Sequence, residues 1–160
     1  MLNEKDNNNR FSYMEEQQVF TLEELYASKN YNSYGESLRQ YVETYGEMKT
    51  AEMIINGYEQ SQRQSLPEGT YEFSLQVKPY WERLKREFDR LVCGHKDYEE
   101  EQKKFLMTGQ VINLATAYQI SSMMTGMLSI PPYILTPAIA LMLHTMVKMG
   151  RLAYCENVKV

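Results

Sequence analysis

Hydrophobic and polar positions follow a helical spacing over most of this chain. In residues 36–62, apolar side chains recur every three, four or seven positions, which places them on one face of a helix. A second stripe begins after Pro79 and stops at Gly94, a residue that commonly ends helices. The patterns predict an all-α protein of about five helices, over residues 22–29, 36–62, 79–93, 97–127 and 136–155.

Two local patterns refine this prediction. Thr21 followed by Glu24 is a capping-box signature, so the first helix is expected to begin directly after Thr21. Between residues 70 and 78, apolar and polar positions alternate strictly, which is typical of a β-strand. A single strand has no clear pairing partner here. A short strand near 70–77 therefore stands beside the alternative of a helical or extended approach to the next helix.

The longest uncharged stretch lies in the second half of the chain. From Phe105 to Val147, 43 residues pass without an Asp, Glu, Lys or Arg, and Pro131-Pro132 interrupts any helix near the middle. This predicts a C-terminal helical hairpin over 105–155 as the central buried element. The chain is then one helical domain over 11–160, preceded by a loose polar arm over 1–10.

An uncharged hairpin needs a cover, which is the rest of this chain, a second protein or a lipid bilayer. A membrane-spanning helix needs about 20 mainly apolar residues. The first arm carries Gln110, Asn113 and Gln119, and each would need a partner inside hydrocarbon. The second arm is shorter and carries His144. A protein cover is favoured, and insertion of 105–147 as a membrane-active effector remains the alternative.

Charge and cysteine usage restrict the partners and the compartment. Residues 1–73 carry six Lys and Arg against thirteen Asp and Glu, which disfavours nucleic acid, whose binding depends on phosphate neutralisation. Two cysteines are too few for a disulfide scaffold, and the first residues do not resemble a secretory signal. The expectation is a cytoplasmic protein with both thiols reduced.

The sequence contains few candidates for catalytic or metal-binding residues. Cys93 and His95 are two residues apart, but Cys93 is predicted to lie at the C-terminal end of a helix. The helix dipole there raises the pKa of a thiol and makes it less reactive. His144, on the most apolar predicted helix, is expected to be a hydrogen-bonded core histidine. The two His and two Cys lack the spacing of a zinc site. No catalytic residue, cofactor or metal is predicted, although an enzyme using Cys93 or His144 remains an alternative.

The sequence favours a small non-enzymatic interaction or assembly protein, whose partner is itself or another protein. Its thirteen tyrosines are concentrated in the first half of the chain and offer contact area at low entropic cost. The predicted aromatic surface comprises Tyr34, Tyr41, Tyr45 and Tyr58. The predicted contact residues of the hairpin are Met107, Ala117, Ser121, Met124, Thr125, Ile134, Leu141 and His144.

Overall fold

A computed structural model of the protein describes residues 17–64, 79–107 and 111–158. Over these residues the chain is all-helical, which confirms the predicted fold class. The predicted arm over 1–10 and the predicted strand near 70–77 lie outside the described residues. The helices are α1 (Leu22–Ala27), α2 (Glu36–Tyr45), α3 (Glu47–Gln64), α4 (Tyr80–Val92), α5 (Glu99–Phe105), α6 (Leu114–Leu128), α7 (Pro132–Met149) and α8 (Arg151–Cys155).

The prediction of about five helices is wrong, because three of the predicted helices each divide into two. Gly46 separates α2 from α3 and Gly150 separates α7 from α8, both at a φ of +86°. This left-handed conformation interrupts a helix and is readily adopted only by glycine. The third division lies between α5 and α6, where Ile112 forms an isolated parallel bridge with Val19.

The observed helix starts follow local capping chemistry. The Thr21 hydroxyl accepts a hydrogen bond from the Glu24 amide at 3.1 Å, as the capping pattern predicts. The last long helix begins at Pro132, four residues before the expected Thr136, because Pro131 serves as its cap and Pro132 as its first residue. Pro137 consequently lies inside α7 and not in its first turn.

Helix α7 forms the centre of the core. Thirteen of its 18 residues are buried, and α3 and α6 make its most extensive contacts. Burial of α6 is much less complete, with five of its 15 residues buried. The two arms of the predicted hairpin therefore differ, and a buried hairpin extending over all of 105–155 stays a prediction.

A disulfide joins Cys93, directly after α4, to Cys155 at the end of α8, with their Cα atoms 5.5 Å apart. The expectation of two free thiols is therefore wrong. Helix α8 folds back against α4, and its Arg151 Nε donates to the Val92 carbonyl. The Tyr154 hydroxyl donates to Asp89. Burial and this hydrogen bond raise the pKa of Tyr154 well above its ordinary value.

Candidate functional site

An open apolar cleft of about 290 Å³ lies between α2 and α3. One wall comes from the start of α2 and the turn before it, where Tyr34 and Tyr41 flank the buried Leu38. The opposite wall is a stripe along α3, and α7 contributes Ile134. We call this feature the tyrosine cleft. The stripe along α3 consists of Thr50, Met53, Ile54, Gly57 and Tyr58.

The cleft brings together residues from both predicted surfaces. Three of the four predicted aromatic residues, Tyr34, Tyr41 and Tyr58, line it together with Ile134 from the hairpin set. Tyr45, the fourth, stacks on Tyr41 with ring centroids 6.1 Å apart. The concentration of tyrosines in the first half of the sequence therefore pointed to side chains that the fold does place side by side. Whether they contact a partner stays a prediction.

The tyrosines differ in their electrostatic surroundings. Burial raises the pKa of Tyr34, with a smaller contribution from Tyr133 nearby. The pKa of Tyr58 is raised first by burial and then by the nearby Tyr133 and Tyr80. Tyr41 is 47% exposed and stands at the rim of the cleft. Tyr34 and Tyr58 thus keep neutral phenol hydroxyls beside an apolar interior at ordinary pH.

Five cleft residues lie outside the surfaces predicted from the sequence: Leu38, Thr50, Met53, Ile54 and Gly57. Thr50 is 1% exposed, and its hydroxyl has no hydrogen-bond partner within the described part of the chain. Gly57 lies two turns further along α3, and a Cβ added there would meet no atom of the described residues within 4 Å. A glycine in the middle of a helical pattern costs about 1 kcal/mol relative to Ala. That unfavourable glycine was the signal available in the sequence.

Most of the predicted contact residues of the hairpin are already covered by this chain. Six of the eight predicted residues are buried; Ile134, at 8%, is the most exposed of these six. Thr125 is partly buried and donates to the Ser121 carbonyl at 2.8 Å. Met107 is 40% exposed. The buried members of the set are Ala117, Ser121, Met124, Ile134, Leu141 and His144.

The outer face of α6 is exposed and carries no charge. Exposed residues recur along it at helical spacing, and Tyr118 and Met127 are each 45% exposed. A surface helix usually presents charged residues on its solvent side. We call this surface the α6 face. It consists of Ala115, Tyr118, Gln119, Ser122, Gly126 and Met127.

A second concave feature borders the α6 face. A groove of about 400 Å³ runs between α5 and α6. Its α5 side carries Glu100, Glu101 and Lys104, and its α6 side includes Tyr118 and Ser122. The groove therefore combines both signs of charge with aromatic and small side chains.

Neither candidate catalytic residue stands in an open site. Cys93 is part of a disulfide, which has no thiol to ionise as a nucleophile. His144 is 3% exposed, and its Nδ1 is hydrogen-bonded to Glu47 Oε1. Its ring also lies 6.0 Å from that of Phe20. The expectation of a hydrogen-bonded core histidine is confirmed.

Within residues 17–64, 79–107 and 111–158, no three His, Cys, Asp or Glu side chains are grouped as metal ligands. Nor is any helix in these ranges long and apolar enough to cross a bilayer.

Comparison with protein-family models, curated proteins and solved structures finds no match to this chain.

Proposed function

We propose that this chain is a non-enzymatic assembly protein that binds a second copy of itself through the α6 face. The observation that carries the proposal is the absence of charge from the outer side of a 15-residue surface helix. Exposed uncharged patches with large apolar residues mark interaction sites more often than ordinary solvated surface does. Tyr118 and Met127 supply such residues here.

Self-association is favoured over another partner by the chemistry of this surface. A two-fold dimer brings the same patch of both copies together, so the patch must complement itself. Small residues at Ser122 and Gly126 allow two α6 backbones to approach closely. The adjacent groove offers Glu100, Glu101 and Lys104, so carboxylates of one copy meet an ammonium group of the other.

The first test introduces a charge into the α6 face. In a Ser122→Glu variant, the new carboxylates approach each other and the groove acids Glu100 and Glu101 at the dimer interface, so we expect the dimer dissociation constant to rise at least about tenfold, or roughly 1.4 kcal/mol. Sedimentation equilibrium measures this constant. The matched control is Ser61→Glu, at an exposed position on α3, which should leave the dissociation constant unchanged.

A second variant tests the same surface without charge. Gly126→Leu adds bulk where a Cβ meets no atom of residues 17–64, 79–107 or 111–158 within 4 Å, so the monomer should fold normally while the dimer weakens. A wild-type protein that remains monomeric at concentrations on the order of 100 µM would contradict self-assembly. Equal dissociation constants for the wild type and both α6 variants would contradict the assignment of the surface.

The proposal also includes the cellular compartment in which the protein resides. The cytoplasmic expectation came from the small number of cysteines and a first segment unlike a secretory signal, whereas a Cys93–Cys155 disulfide favours an oxidising compartment. We expect no free thiol per chain when cells are lysed into an alkylating reagent and the protein is weighed by mass spectrometry. Two alkylated cysteines would instead support a reducing cytoplasm. A chain reduced before alkylation is the control.

A further inference from the structure

The tyrosine cleft is separate from the α6 face and has the composition of a small-molecule site. Ligand pockets are largely apolar concavities with a few polar groups that fix orientation. Here apolar side chains of α2 and α3 form the walls, and tyrosine hydroxyls stand around them. Among the described residues, none has an atom within 4 Å of the position where another residue would place its Cβ at Gly57.

The lining excludes a charged ligand. None of the described residues that line the cleft is an acid or a base. An ion that entered would lose hydration without gaining a counter-charge, which costs several kcal/mol or more. The occupant is therefore expected to be neutral.

The volume sets the size of the occupant. An apolar protein cavity of about 150 Å³ accommodates one benzene molecule. The cleft, at about 290 Å³, is roughly twice as large. It matches a fused two-ring molecule or one of similar bulk.

Thr50 indicates that this molecule carries one polar group. A buried hydroxyl without a partner is unfavourable and is uncommon in folded proteins. The Thr50 Oγ1 atom exposes less than 1 Å², so a ligand reaches it only when part of the wall moves. Met53 lines the same wall, and a methionine side chain changes conformation readily.

We propose that the tyrosine cleft binds a neutral, largely apolar molecule of about two rings, whose single hydrogen-bonding group pairs with the Thr50 hydroxyl. The proposal does not depend on self-association. The ligand lies between α2 and α3, with its rings against Leu38 and Ile54 and its edge near Gly57. The rim tyrosines limit its access to water.

The test uses 2-naphthol as the probe, titrated into the wild-type protein and followed by amide NMR spectra. We expect saturable shifts at Gly57 and its neighbours, with a dissociation constant of about 0.1–1 mM. 2-Naphthoate, which is ionised at neutral pH, should bind at least about tenfold more weakly. Absence of saturable shifts at Gly57 with 2-naphthol overturns the proposal, and so does equal binding of the ionised probe.

Matched variants identify the site. Gly57→Leu places a side chain in the cleft and should weaken 2-naphthol binding at least about tenfold, whereas Gly126→Leu should not change it. For self-association the pattern should be reversed: Gly126→Leu should weaken the dimer, whereas Gly57→Leu should leave it unchanged. A failure of one proposal can therefore be distinguished from a failure of the other. Unchanged 2-naphthol binding by a folded Gly57→Leu variant overturns the location.

Thr50→Val tests the polar contact while keeping the shape of the side chain. We expect 2-naphthol to bind about 2–10-fold more weakly to this variant, because the naphthol hydroxyl loses its hydrogen-bond partner. Equal affinity for the variant and the wild type overturns the role of Thr50.

N-acetyltryptophanamide is titrated in parallel with 2-naphthol. Tighter binding of this peptide-like probe than of 2-naphthol would assign the cleft to a protein side chain and overturn the small-molecule assignment.

Discussion

Replacing Cys155 with serine is expected to lower the free energy of unfolding by about 4 kcal/mol. The disulfide joins residues 62 positions apart, and a cross-link of this span removes much of the conformational freedom of the unfolded chain. For a domain of this size, the loss corresponds to a fall of roughly 8–16 °C in the melting temperature. Denaturant unfolding followed by circular dichroism measures the difference.

The controls separate the bond from the side chains. A Cys93→Ser/Cys155→Ser double variant should have the same stability as the single variant and should not respond to dithiothreitol. Wild-type protein treated with dithiothreitol should fall to the stability of the variants. An unfolding midpoint that stays the same in all of these proteins would show that the cross-link contributes nothing.

The second large effect is expected from the partly buried contact between Glu47 and His144. Removing one partner leaves the other without a hydrogen bond, so Glu47→Leu should lower stability by roughly 1–3 kcal/mol. The side chain of His144 is 4% exposed, which leaves little water to replace the lost contact. Urea unfolding at neutral pH measures the loss.

A double-mutant cycle tests whether the loss comes from this contact. Replacing both residues with leucine removes both polar groups, so the double variant should lose less stability than the two single variants added together. Glu43→Leu, at an exposed position on α2, should change stability by no more than about 0.5 kcal/mol. Strict additivity of the two single changes would falsify the proposed coupling.

The local features of the fold were largely predictable because they depend on neighbouring residues. Thr21 and Glu24 form the expected cap, and the stripe after Pro79 does become α4, ending at Val92. The division of three predicted helices into two helices each was not predicted, for a different reason. The hydrophobic spacing predicted one helix over residues 36–62, whereas the positive φ of Gly46 ends α2 within it.

The candidate site was predictable only in part. The concentration of tyrosines in the first half of the chain grouped Tyr34, Tyr41 and Tyr58 as one surface, and they line the same cleft. Spacing along one helix cannot predict which face of α3 meets α2, so Thr50 was missed. Cys93 and Cys155 carried no pairing signal, because their distance depends on how α8 returns to α4.

By itself, the sequence determined the helical class, the starts of α1, α2 and α4, and the concentration of uncharged residues in the second half. These follow from capping, propensity and hydrophobic spacing, which act over a few residues. Tertiary structure alone decided that α7 is buried on nearly all sides while α6 keeps an exposed face. It also decided that a cleft opens beside Gly57 and that the two cysteines meet. Each of these depends on contacts between distant segments, which the local order of residues does not specify.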